Sequence, residues 1–78
     1  SGRVLEVFTT QPGVQVYTGN WLSGCPAGKN GHIYEDYDGV AIECQNLPDA
    51  PNQSEYPSAV LRPGEVYEQA IIFAFGIR

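Results

Sequence analysis

Cations are scarce in this sequence. Arg3, Lys29, Arg62 and Arg78 stand against nine carboxylates, leaving a net charge of −5 over 78 residues. Proteins that bind nucleic acid neutralise phosphates with clustered Lys and Arg, so that class of partner is excluded. Cysteine is equally sparse. Cys25 and Cys44 follow neither a metal-ligand spacing nor the dense pattern of a small secreted scaffold. They read as free thiols, which points to a reducing, cytoplasmic location. No apolar run approaches the roughly 18 residues of a membrane span, and no signal-peptide pattern opens the sequence. There is no Ser/His/Asp set, phosphate-cradling glycine loop or paired-cysteine motif. Glu35, Asp36 and Asp38 make an acidic turn, but without the spacing or terminal bidentate Glu of a calcium loop, so no metal is expected.

Strand signals fill most of the remaining space. Arg3 to Thr10 is rich in β-branched and aromatic residues, and Val14 to Thr18 continues in the same manner. Gln11-Pro12-Gly13 between them reads as a turn, with Pro fixing φ and Gly supplying a positive φ. The two segments therefore form either a hairpin or a corner between sheets. Gly19 to Asp38 is a long glycine-bearing loop, and Gly39 to Gln45 is a third strand. Asn46 to Ser58 is a second long loop with three prolines, and Arg62-Pro63-Gly64-Glu65 is another turn. Val66 to Phe75 is the last strand, apolar on both faces, which suits the inside of a packed sandwich. No helical period persists. The expectation is an all-β fold, and the abrupt ends suggest a piece of something larger. At 78 residues a lone domain would be marginal.

Side chains alternate between faces along a strand. Val40, Ile42 and Cys44 form one face of the third strand, and Ala41, Glu43 and Gln45 the other. On the second strand Gln15 and Tyr17 share a face opposite Val14, Val16 and Thr18. A cleft lined by Gln15, Tyr17, Glu43 and Gln45 offers a carboxylate, two amides and an aromatic ring, a mixture suited to a sugar. A glutamate on the polar face of a half-buried strand is also commonly just solvated, and pattern alone favours that reading. His32, in a turn-like loop, reads as a surface residue. Trp21 reads first as a packing aromatic and second as a platform for a ligand.

The string from Gly2 to Asn20 resembles the aldose 1-epimerases, the galactose mutarotases. Three later segments do so as well: Gly39-Val40-Ala41-Ile42-Glu43-Cys44-Gln45, then Pro48-Asp49-Ala50-Pro51-Asn52-Gln53, then Leu61-Arg62-Pro63-Gly64-Glu65-Val66-Tyr67. The four motifs run in the family's order and cover nearly the whole chain. They correspond to the C-terminal portion of the family's chain. The resemblance implies that residues 1–78 are the C-terminal part of a single antiparallel β-sandwich domain. It implies interconversion of the α and β anomers of hexoses such as galactose and glucose, with no cofactor. By motif, Glu43 corresponds to the family's general base and Gln15 to a glutamine that hydrogen-bonds the sugar. The acid histidine of the family has no counterpart among these residues, and His32 matches none of its histidines. Cys44 stands where Thr is usual, Val40 where an aromatic is usual, and Tyr37-Asp38 where the approach carries a histidine.

Three other readings stay open on the residues themselves. The chain could be a non-catalytic carbohydrate-binding β-sandwich, with the cleft but no acid. It could be a piece that self-associates through unpaired strand edges or joins the missing N-terminal part of its own domain. An epimerase of sugar phosphates would need more basic residues than are present.

Overall fold

The computed structural model describes all 78 residues and contains four strands, two single-turn 3₁₀ segments and no α-helix. The strands are β1 (Arg3–Thr9), β2 (Gly13–Tyr17), β3 (Ala41–Gln45) and β4 (Ile71–Ile77). They pair as two separate antiparallel ribbons, β1 with β4 and β2 with β3. The all-β, antiparallel expectation is met. Of the two arrangements open for β1 and β2, the corner is the one adopted, since the strands belong to different ribbons.

The corner does not work as the sequence suggested. Gly13 has no positive φ. It is the first residue of β2, and a Cβ there would lie 2.7 Å from Leu47 Cδ2. Backbone conformation does not call for glycine, and a Cβ would have to displace only the far end of the Leu47 side chain. The bend is braced instead by the Gln11 N–H donating to Thr9 Oγ1 at 3.0 Å. At Arg62–Glu65 the turn expectation holds: Gly64 has φ +86°, and the Glu65 N–H donates to the Arg62 carbonyl at 3.1 Å.

Two strand boundaries move. The last strand begins at Ile71 rather than Val66 and continues to Ile77. Its partner β1 stops at Thr9, so residues 66–70 have no strand opposite them. Of these only Ala70 is held through its backbone, by reciprocal bonds with the Thr10 N–H and Thr10 Oγ1. The third strand begins at Ala41 rather than Gly39, because β2 ends opposite it at Tyr17.

The 19–38 loop is closed on itself. The Tyr37 N–H donates to the Gly19 carbonyl at 2.8 Å, and Ser23 and Asp36 exchange backbone-to-side-chain bonds of 2.8 and 3.1 Å. Asp38 Oδ2 accepts from the Glu35 N–H at 2.9 Å. The acidic turn thus staples the loop.

There is no hydrophobic core. Ala50 and Gly19 are the only buried residues. Both faces of the β1–β4 ribbon are apolar and uncovered, with Phe75 80 % and Phe8 55 % exposed. The accessible area is 6662 Å², against about 4,700 Å² for a compact monomer of 8.5 kDa. The radius of gyration is 16.9 Å, where a compact chain of this length gives about 11.5 Å. The two ribbons hardly touch.

Candidate active site

Gln15 and Glu43 are direct partners in the β2–β3 ladder. Directly opposed residues hold their Cβ atoms about 4.5–5.5 Å apart on one face. Tyr17 opposite Ala41 and Gly13 opposite Gln45 flank the pair on the same face. Register therefore brings together all four polar and aromatic residues grouped from the sequence. Val14 opposite Cys44 and Val16 opposite Ile42 occupy the other face.

Gln15 and Glu43 are both exposed. Neither side chain is engaged in a hydrogen bond within the chain. The pair stands on an open face rather than in a cleft, and no cavity is lined by either residue. A free carboxylate beside a free amide can accept one hydroxyl proton and hydrogen-bond a second hydroxyl. Tyr17 is less free, since its hydroxyl accepts from the Trp21 N–H at 3.2 Å. Trp21 itself is 83 % exposed, so the packing role expected of it is not the one it takes. His32 packs its ring edge-on against Tyr34, with centroids 4.8 Å apart.

Beside this face, at the end of the same ribbon, Tyr17, Gly19, Leu22, Gly39, Val40 and Ala41 line an apolar hollow of about 230 Å³. A larger concavity of about 700 Å³ lies elsewhere, between Thr10 and Tyr67–Ala70. Gln11 Nε2 donates there to Tyr67 Oη and Gln69 Oε1. Sequence reading missed this cluster, because 56 and 58 residues separate the partners.

β3 runs out into a second organised loop. Asp49 adopts a left-handed conformation with φ +63°. Its carboxylate accepts from Asn52 Nδ2 at 2.6 Å and from Gln53 Nε2 at 3.0 Å. These amides, Asn52 first, hold the Asp49 carboxyl below its ordinary value of 3.8. Sequence reading passed over this network, although its partners lie only three and four residues from Asp49.

A family model described as aldose 1-epimerase matches residues 1–74. The chain belongs to the aldose 1-epimerase family. Among its relatives, the galactose mutarotase of Homo sapiens is 56 % identical over 77 residues, covering 99 % of this chain and 22 % of the relative. The galactose mutarotase of Mus musculus is 54 % identical over the same shares. The aldose 1-epimerase of Escherichia coli (strain K12) is 42 % identical over 73 residues, covering 91 % of this chain and 21 % of the relative. The chain thus spans about a fifth of the length of the curated relatives it matches. Both cysteines are free thiols, Cys25 exposed and Cys44 half-buried. No helix is long and apolar enough to cross a membrane.

Proposed function

We propose that a full-length protein carrying this sequence is a mutarotase interconverting the α and β anomers of hexoses such as galactose and glucose. Glu43 is its general base, and Gln15 hydrogen-bonds the sugar. The observation that carries this reading is the direct opposition of Gln15 and Glu43 on one face of a ribbon, in a chain of the aldose 1-epimerase family. Glu43 takes the proton of the C1 hydroxyl while an acid protonates the ring oxygen. The C1–O5 bond breaks, leaving an open-chain aldehyde and a ring-position hydroxyl. Rotation about C1–C2 presents the other carbonyl face, and the same two proton transfers in reverse close the ring. No group beyond an acid and a base enters these steps, and each contributes typically 10²–10⁴-fold.

The acid in this reading comes from outside the 78 residues, so the chain by itself is expected to be inactive. These residues are then the C-terminal part of one larger β-sandwich domain. The 22 % share of the relatives and the uncovered apolar faces of both ribbons support its being part of a larger domain; the C-terminal position rests on the order of the sequence motifs alone.

Binding and turnover can be separated on one sample of the full-length protein. Calorimetric titration with galactose is expected to show binding. NMR exchange between the α and β C1–H signals is expected to accelerate with protein concentration. Binding with no acceleration would make the protein a carbohydrate-binding module instead.

A further inference from the structure

The ribbon that carries Gln15 and Glu43 is gripped at both ends by a leucine seated on glycine. Where β2 begins, Leu47 lies over Gly13: a Cβ there would stand 2.7 Å from Leu47 Cδ2 and 3.5 Å from the Gln45 carbonyl oxygen. Where β2 has ended, Leu22 lies over Gly19. A Cβ on Gly19 would stand 2.9 Å from Leu22 Cδ1 and 2.6 Å from the Gly39 carbonyl oxygen. Both leucines are half-buried, while Val14 and Val16 between them are 57 % and 54 % exposed. The chain's two buried residues also sit in these grips. Gly19 is one, and Ala50 is the other, its N–H donating to the Leu47 carbonyl at 3.1 Å. Each grip is braced by hydrogen bonds: Tyr37 N–H to the Gly19 carbonyl on one side, the Asp49 carboxylate with Asn52 and Gln53 on the other.

The ends matter because of the alternating geometry of a strand. Backbone ladder bonds are similar in any register, so register is chosen by side chains and turns. A slip of one residue would carry Glu43 to the face of Val14 and Val16 and leave Gln15 opposite Ile42 or Cys44. A two-stranded ribbon is marginal by itself, and within this chain the side-chain contacts that a slip would break lie at its ends.

We propose that Leu22 and Leu47 are positioning residues that lock the β2–β3 register and so hold Glu43 beside Gln15. Their catalytic importance rests on the reading of Glu43 as the base, but the register lock itself does not. Leu22 and Leu47 touch glycines at the two ends of the pairing and act on the site only through it.

Register can be read without turnover. Val14 faces the native Cys44 across the ladder, away from the Gln15–Glu43 face. Antiparallel partners stand about 4.5–5.5 Å apart at Cα, within the range a disulfide spans. In the full-length protein bearing Cys25→Ser and Val14→Cys, mild oxidation is expected to join position 14 to Cys44, as mapped by peptide mass spectrometry. With Leu22→Ala and Leu47→Ala added, the yield of that crosslink is expected to fall several-fold. Leu22→Met and Leu47→Met, which keep the volume, are expected to restore it. Without the added cysteine, kcat of the double alanine variant is expected to drop by roughly 10²-fold or more, since misplacing a reacting group by even about 1 Å costs that much. Where the double variant fails to fold by circular dichroism, the two single alanine variants decide the matter. An undiminished crosslink in folded alanine variants overturns the register lock and leaves the role of Glu43 untouched. Full activity in a Glu43→Gln protein would instead remove the base and leave the crosslink result standing.

Discussion

A carboxylate and an amide held side by side on rigid strands can bind a sugar's hydroxyls and take a proton from one of them. Gln15 opposite Glu43 has that form, and the two residues carry different parts of the work. Gln15→Ala removes one neutral hydrogen bond, worth about 0.5–1.5 kcal/mol. In the full-length protein it is expected to lower kcat/KM by roughly two- to tenfold, measured from initial rates over a range of galactose concentrations. Asp49 organises the loop that leaves β3. Its folded carboxyl is depressed by the Asn52 and Gln53 amides. That contribution is therefore fully present above the ordinary value of 3.8 and is lost as pH falls through the lower folded value. Protection of the Asn52 and Gln53 side-chain amides from hydrogen exchange, relative to free amides at the same pH, is expected to fall in that acid window. Asp49→Asn is expected to leave only the exchange profile of a free amide. Glu43 and Gln15 were legible as candidates because alternation placed them with Tyr17 and Gln45. Only the ladder register could make them partners, since it is set by contacts over 28 residues of separation. His32 is the converse case. As a lone loop histidine it was read as a surface residue, and its ring rests on Tyr34 in the loop itself.

The elements were mostly legible, and their errors share one cause. All four strands were visible from β-branched and aromatic content, yet β3 and β4 begin later than their composition suggests. A strand exists only where a partner runs beside it, and composition cannot say where the partner stops. Glycines show the same limit. Gly64 took the positive φ that its turn position demanded, but Gly13 has no positive φ and serves as the seat of the Leu47 side chain. Gly19 needs both freedoms, with φ +72° and the Gly39 carbonyl oxygen 2.6 Å from any added Cβ. In the full-length protein Gly19→Ala is expected to lower stability by at least about 1–2 kcal/mol, the cost of a left-handed L-residue, in urea unfolding. Gly39→Ala is expected to be milder, because its Cβ would meet only Leu22 Cδ1, at 4.0 Å.

At the scale of the molecule, the chain has strands, turns and a polar pair but no interior. Its accessible area exceeds that of a compact monomer by about 2,000 Å², as much as a stable protein interface buries. The doubly apolar β4 made this legible in advance. Phe73 and Phe75 on one face and Ile72 on the other need cover, and β1 alone cannot provide it. What the sequence of 78 residues could not convey is which surface does the covering. Produced by itself, the chain is expected to sediment as a species heavier than 8.5 kDa and to bind a hydrophobic dye. A single monomeric boundary with no dye binding would contradict the uncovered faces.

Polarimetry of freshly dissolved α-galactose tests most directly whether this chain supplies the base. With the full-length protein, Glu43→Gln is expected to slow the approach to anomeric equilibrium by roughly 10²–10⁴-fold while galactose still binds. A Glu43→Gln protein that equilibrates the anomers as fast as the unsubstituted one would contradict the account.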